Sequence, residues 1–243
     1  DRCKVHQLST GSGTPERQFA RLLASDPGRP FVTYYDESSG ERSELSAKSL
    51  ANWVAKTHHL LGDELGLGVG DTALVALPAH WISVPVLLGC LTAGLALTTG
   101  GAADVAFVDE ASLPAAAGIA DVYAIAASAA VGFRGDDPAG ASDYVAAVRP
   151  QADAWAGVHM PAGPDDPALP GLTRAEVVAR SAQVGLAPGA RVLTTRDWSS
   201  PRDWIETVFA PMSVGGSVVI LAHCPDEDVL ARRMSQERAT VRL

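Results

Sequence analysis

The stretch from Gly40 to Gly100, GERSELSAKSLANWVAKTHHLLGDELGLGVGDTALVALPAHWISVPVLLGCLTAGLALTTG, constrains the fold more than any other part of the chain. Arg42–Leu45 has strand character, and from Ser46 the apolar positions Leu50, Trp53, Val54, Thr57 and Leu61 fall on one helical stripe. Gly66, Gly68 and Gly70 break that helix, and Ala73–Leu77 reads as a short buried strand. A second helix from about Trp81 to Thr92 leads into a strand over Leu95–Thr98. Strands and helices alternating at this short spacing imply parallel strands covered by helices, an α/β fold. The three glycines precede a strand where a dinucleotide loop would follow one, and they do not fit G-x-G-x-x-G. They are helix-to-strand punctuation.

The flanking segments extend this pattern. Phe19, Leu22 and Leu23 share one face of a helix that ends before Pro27, and Phe31–Tyr35 pairs through the turn residues Asp36–Gly40 with Arg42–Leu45. Further strands are expected at Val105–Val108 and Val122–Ile125. Residues 132–170, rich in Gly, Pro, Asp and Ala, read as an irregular connection. Beyond them Thr173 and Glu176 are spaced as a capping box, since hydroxyl and carboxylate can satisfy the first free amides of a helix. A strand at Arg191–Thr195 follows, then a helix with Ser200 as N-cap and Pro201 at its first position. Gly215-Gly216 closes that helix. Strand Ser217–Leu221, a helix opened by Asp226 and a last strand from Thr240 complete the chain. The expected organisation is one compact unit with α/β subdomains at 1–131 and 171–243, joined by 132–170.

At 243 residues, 47% of them hydrophobic, the chain is long enough to bury a substantial core. A net charge of −9 without a basic stripe argues against nucleic-acid or anionic-membrane partners. No apolar run approaches the roughly 20 residues that span a bilayer; the richest, Ile82–Leu97, is interrupted by Pro85, Gly89 and Gly94. Asp1–Arg17 lacks the apolar region of a secretory signal, and Cys3, Cys90 and Cys224 follow no metal spacing, so reduced thiols in the cytoplasm are the expectation. The sequence opens on Asp1 and not on Met, so a start further upstream is expected. Lysine is confined to Lys4, Lys48 and Lys56 while Arg and Ala abound, the bias of a high-GC genome.

Six segments, in order, resemble the adenylate-forming superfamily, the AMP-dependent acyl-CoA synthetases and their relatives. GERSELSAKSL is similar to "GE-x-x-(Y/S)-x-x-L", LGLGVGDTALVALPAHW to "LG-x-x-x-GDRVA-x-x-x-PN-x-x-(E/W)", and LLGCLTAG to "LLG-x-L-x-AG". LTRAEVVARSAQVGLAPGARVL resembles the "TH-x-x-(L/V)" helix and the "L-x-x-GDRVL" strand, while VFAPMSVGGSVVIL and ERATV resemble "(P)L-x-x-GG-x-VV-(I/L)" and "ERVT". The resemblance covers most of the chain outside the first 30 residues and 132–170. It implies parallel sheets like those of the ligases' large N-terminal domain, within a small actinobacterial family related to them.

The departures bear on chemistry. Just before the "TH" helix the ligases carry "(Y/T)-(T/S)-S-G-(T/S)-T-G-x-P-K-G", a nest of amides with one lysine that offsets phosphate charge. This chain has AGVHMPAGPDDPALPG there. Pro161, Pro164, Pro167 and Pro170 have no amide to donate, and Asp165 and Asp166 repel phosphate. The "Y-G-x-T-E" motif, the ribose-binding Asp and the lid with its catalytic Lys are absent from these residues. ATP or AMP is therefore implied by the resemblance alone; no cofactor is read from the residues themselves.

In open α/β sheets ligands collect beyond the carboxyl ends of the strands. Those ends carry His80 and Trp81, Thr98 and Thr99, Arg196, Asp197 and Trp198, and His223. His80 beside Trp81 offers a proton-transfer group next to a stacking surface; the commoner roles of such residues are a cap neighbour and first-turn packing. Arg196 and Asp197 either orient an anion or form a local salt bridge. His159 is a candidate lid residue or a surface histidine. Trp53, Trp155, Trp198 and Trp204 either form a binding surface or, as is commoner for aromatics on periodic faces, pack in the core; Trp198, at a strand end, is the best candidate for the surface. Adjacent His58 and His59 point about 100° apart and cannot chelate one metal. Neither a metal-ligand spacing nor a G-x-S-x-G elbow occurs. The expected function is a non-catalytic relative of the ligases that binds a small molecule or a protein partner. The alternatives are a ligase completed by a partner or an altered site, and a structural homo-oligomer, such as a dimer that covers apolar surface exposed by truncation.

Overall fold

The computed structural model describes residues 13–126, 140–154 and 162–243. Cys3, Trp155 and His159 lie outside them. Helix α1 (Pro15–Ser25) is capped by the Thr14 hydroxyl and leads to the antiparallel pair β1 (Pro30–Asp36) and β2 (Glu41–Ser46). Helix α2 (Ala47–His59) starts at the Ser46 cap and runs into a π turn at Leu60–Glu64. Then come β3 (Thr72–Ala76), α3 (Ser83–Ala93), β4 (Ala96–Thr98), β5 (Val105–Asp109), a short 3-10 turn (Leu113–Ala116) and β6 (Asp121–Ile125). Gly94, with φ of 102°, supplies the left-handed residue that ends α3. All eleven residues of α3 are buried, so the longest apolar run of the sequence is a core helix.

The region read as an irregular connection carries ordered pieces: β7 (Ser142–Asp143), α4 (Tyr144–Val148) and β8 (Pro167–Leu169), which pairs with β9 (Leu172–Thr173). Asp143 caps α4 by accepting the Val145 amide at 2.7 Å, and buried Tyr144 places its hydroxyl 2.7 Å from Thr57 Oγ1 on α2. Helix α5 (Arg174–Gln183) begins at the Thr173–Glu176 capping box. Next come β10 (Arg191–Thr194), α6 (Pro201–Trp204), a π turn (Ile205–Phe209) and α7 (Ala210–Ser213). The chain then forms β11 (Ser217–Ala222), α8 (Glu227–Gln236) capped by Asp226, and β12 (Val241–Arg242).

Two five-stranded sheets result. The first has the order β12-β10-β11-β1-β2, parallel except for β2; the second, β4-β3-β5-β6-β7, is wholly parallel. The first sheet thus joins the β1–β2 hairpin to β10–β12, so strands from both sides of 132–170 share it. Period-2 alternation explains how each sheet is covered. Val32, Tyr34, Val218 and Ile220 on one face of the first sheet, and Ala73, Val75, Val105 and Phe107 on one face of the second, belong to a single core with α1–α3, α5 and the α6–α7 region. On the opposite faces, Tyr35, Leu193, Val219 and Leu221 meet Leu230 of α8, and Leu74, Ala106, Val108 and Val122 meet Ala116 of the 3-10 turn.

Buried Arg174 fastens this arrangement. It donates to Glu16 Oε1 at 2.7 Å, to the carbonyls of Leu91 and Leu95 at 3.1 Å each, and to the Pro167 carbonyl. Among the described residues Val69 is the large hydrophobic side chain that is exposed, so the broad apolar face expected from truncation is not found there. No described helix is long and apolar enough to cross a membrane.

Candidate functional site

A cleft of about 850 Å³ opens where the carboxyl ends of parallel strands from both sheets converge. Asp36 ends β1, Leu77–His80 follow β3, Asp109–Ala111 end β5, and Ile125–Ala126 end β6. From the other half of the chain, Thr195–Asp197 follow β10, Ala222–Asp226 end β11, and Arg242 belongs to β12. The loops after β1, β3, β5, β6, β10 and β11 each leave a largely buried strand at its carboxyl end, the crevice where open α/β sheets hold ligands.

His80 stands in the wall, 8% exposed, with its ring centroid 4.2 Å from that of Tyr34. The Ile82 amide donates to its Nδ1 at 3.2 Å, which fixes the proton of the neutral imidazole on Nε2. That Nε2 has no hydrogen-bond partner; Glu41 Oε1 is 4.0 Å away. Burial pushes the pKa of His80 down to about 4, against the opposing pull of Glu41 and Asp36. Burial, then Asp36 and Glu41, raise the Tyr34 phenol well above its ordinary value.

At the mouth, His223 Nδ1 lies 2.9 Å from Asp36 Oδ1. Asp36 also accepts the Ser38 amide and hydroxyl (2.8 and 2.7 Å) and the Ser39 hydroxyl (2.9 Å). Burial raises the Asp36 pKa, but these bonds outweigh it and hold the carboxyl well below the usual range. His223 has φ of 51°, the left-handed region a side chain seldom enters.

The lining is acidic. Six carboxylates (Asp36, Asp109, Glu110, Asp197, Asp226 and Glu227) face two arginines, and both arginines are engaged. Arg196 pairs with Glu206, and Arg242 holds Glu227 through two bonds of 2.7 and 2.8 Å. No described group of three or more His, Cys, Asp or Glu side chains is arranged to hold a metal ion.

Of the residues singled out in the sequence, the structure brings His80, Arg196, Asp197 and His223 to one cleft. Arg196 finds its salt bridge in Glu206, ten residues on, and not in Asp197. The others lie elsewhere. Trp81 turns into the core, edge-on to Trp53 at 5.6 Å, and donates to Glu41 at 3.2 Å. Trp198 is 8% exposed within the same core. Thr98 donates to the Gly100 carbonyl at 2.7 Å to close the turn after edge strand β4, and Thr99 is exposed. Tyr34, Asp36, Asp109 and Glu110 complete the cleft without having been singled out. Asp36 had read as turn punctuation, and nothing local tells that β1 lies beside β11.

The described part of the segment matching the ligases' phosphate loop closes on itself. The Asp166 carboxylate accepts the Gly163 amide at 2.6 Å, Pro164 and Asp166 carbonyls accept the Ala175 and Arg174 amides, and β8 pairs with β9. A side-chain carboxylate takes the amide at this place.

A protein of Mycobacterium tuberculosis described as "TIGR03089 family protein" is 36% identical over 235 residues, covering 90% of this chain and 93% of the relative. The chain belongs to the TIGR03089 family. No family model matches it. Among solved structures, an acyl-CoA synthetase of Brucella canis superposes with a TM-score of 0.77 at 16% identity. That match covers 95% of this chain and 47% of the synthetase, so the chain has an acyl-CoA-synthetase-like α/β fold and spans about half the length of that protein.

Proposed function

We propose that this TIGR03089 family member binds a small organic molecule in the cleft between its sheets and does not form acyl-adenylates. The cleft carries the reading. It has the volume of a small-molecule site, and apolar groups (Leu77, Ile82, Ile125, Ile220) share its lining with His80, Tyr34 and the six carboxylates. The phosphate chemistry of the ligases has no counterpart in it. An acidic lining with both arginines paired repels a polyphosphate, and the Gly163 amide is occupied by Asp166.

Ligand-observed NMR with a metabolite library tests this on the wild type and on Ala111→Trp. Ala111 is an exposed rim residue, so a bulky side chain there narrows the cleft at little cost to the core. Compounds that bind the wild type and lose binding to Ala111→Trp are the expected result. A library that binds neither protein, or both alike, removes the cleft from consideration. The catalytic part has its own assay: carboxylate-dependent exchange of pyrophosphate into ATP is expected to be absent, and its appearance would restore the ligase reading.

A further inference from the structure

Asp36 and His223 meet at the mouth of the cleft because β1 and β11 run parallel and end together, with Asp36 opposite Ala222 and His223 one residue beyond. Asp36 Oδ1 accepts the Ser38 amide, the Ser38 hydroxyl and His223 Nδ1, and Oδ2 accepts the Ser39 hydroxyl. A carboxylate held ionised in this way only accepts, so Nδ1 carries the proton of the neutral imidazole and Nε2 presents its lone pair. Nε2 makes no hydrogen bond among the described residues, and the His223 side chain is 66% exposed and lines the cleft. The ring is therefore within reach of water and of a molecule in the cleft. Its backbone is held at φ of 51°, and strained positions of this kind gather at active sites. Tyr34 stands beside the pair. Two residues before Asp36 on β1, it points to the same face of the sheet and lines the same cleft. Its hydroxyl has no hydrogen-bond partner among the described residues and is not sealed from solvent. Burial and the neighbouring carboxylates keep it a phenol, hence a donor. A proton acceptor oriented by a carboxylate and a neutral donor, both facing one cleft, are the parts of general acid–base chemistry on a carbonyl group.

We propose that the cleft hydrolyses small neutral esters, with His223 as general base and Tyr34 as donor to the carbonyl oxygen, an inference that rests on the cleft being a ligand site. His223 Nε2 takes a proton from a water molecule as the water oxygen bonds to the ester carbon. The carbonyl oxygen, gaining negative charge, accepts from the Tyr34 hydroxyl. The tetrahedral intermediate then breaks its bond to the alcohol oxygen, which leaves with the proton that His223 took up. The products are the alcohol and a carboxylic acid, whose own proton is lost to solvent. Asp36 is a positioning residue: it holds the tautomer and steadies the ring while it is charged. The acidic lining selects against anionic esters and repels the carboxylate product.

Release of phenol from phenyl butyrate by the whole chain tests this, with 4-carboxyphenyl butyrate as the anionic counterpart. Phenyl butyrate is expected to turn over with saturation, and the anionic ester to be about tenfold or more slower in kcat/KM. His223→Gln is expected to lower kcat about a hundredfold or more, the usual share of a general base, with KM little changed. Tyr34→Phe is expected to lower kcat by about a hundredfold. Asp36→Asn should lower kcat about tenfold or more in the wild type and cost nothing further in His223→Ala, because it acts through the ring. Imidazole added to His223→Ala is expected to restore part of the lost rate, beyond what imidazole gives in buffer, which a merely structural role would not allow. Should His223→Ala fail to fold, His223→Gln against the wild type still decides. Turnover that survives His223→Gln, or that imidazole fails to restore, overturns the proposal, as does hydrolysis no faster than in buffer. If no ester turns over while library compounds still distinguish wild type from Ala111→Trp, the cleft remains a binding site and this inference alone falls. If neither is observed, the cleft reading and this inference fall together.

Discussion

His80 is where the chemistry of a single residue reaches the whole fold. Its ring is buried between Tyr34 and the cleft, so charging it costs desolvation that Glu41 and Asp36 only partly offset. With a folded pKa of about 4 against an ordinary 6.5, the native state binds fewer protons than the unfolded chain between those values. The stabilisation by neutral His80 is therefore fully present above pH 6.5 and is lost as pH falls towards 4, in total roughly 3 kcal/mol. His80→Gln, which cannot titrate, is expected to lose about that much less stability than the wild type between pH 7 and pH 4 in urea denaturation. Parallel losses in the two proteins would show that His80 does not titrate across the transition. The sequence does disclose this residue, because it follows a buried strand, as Arg196, Asp197 and His223 do. It does not disclose Tyr34 and Asp36, whose roles depend on the pairing of β1 with β11 some 180 residues away. Nor does it separate Trp198, one residue past Asp197 and buried, from its exposed neighbours.

Among the elements, α5 illustrates how a polar side chain can organise an apolar core. Arg174, in the first turn after the Thr173–Glu176 capping box, sends its guanidinium inwards to Glu16 on α1, to the end of α3 at Leu91, to Leu95 beyond it and to β8. Removing the cation leaves Glu16 buried without its partner, and Glu16 Oε2 already has none. Breaking a buried pair of this kind costs about 3–5 kcal/mol. Arg174→Met should lower the urea midpoint accordingly, and replacing Glu16 as well with Met should recover much of the loss, because no uncompensated charge then remains. If the double variant is as unstable as the single one, the loss comes from packing and from the Leu91, Leu95 and Pro167 carbonyls left without their donor, and not from the uncompensated charge. The capping box itself is legible in the sequence, as are the helix starts at Ser46, Ser200 and Asp226, because each depends on side chains within four residues. Arg174 is not, because its partners lie up to 158 residues away. The short α4 escapes for a related reason: five residues carry too little periodicity, and what holds it is Tyr144 reaching Thr57.

For the molecule as a whole, the consequence of the topology is that neither end of the chain can complete the first sheet alone. β11 lies between β10 and β1, in parallel register from Val32–Val218 to Asp36–Ala222, and β2 closes the edge beyond β1. Residues 171–243 by themselves retain β10, β11, β12 and α8, but they expose the full length of β11 as an unpaired, apolar edge. They also lose Phe31, Val32 and Tyr34, and with them Phe19 of α1, from the core that Val218, Ile220 and Phe209 share. The parallel strands of the ligase-like sequence pattern are thus legible as strands, whereas the assignment of the N-terminal hairpin to the C-terminal sheet is a long-range choice that local periodicity does not carry. The fragment 171–243 is accordingly expected to show no cooperative melt by circular dichroism, and mixing it with residues 1–170 is expected to restore one. A cooperative transition in the isolated fragment would mean that β10–β12 and their helices form a stable unit before the hairpin docks. The cleft would then be assembled at an interface between two preformed halves, and ligand affinity should fall when the two are supplied as separate chains at low concentration. If the fragment is unfolded, the same loops are brought together by one cooperative event, and Asp36 and His223 meet only when the entire first sheet has formed.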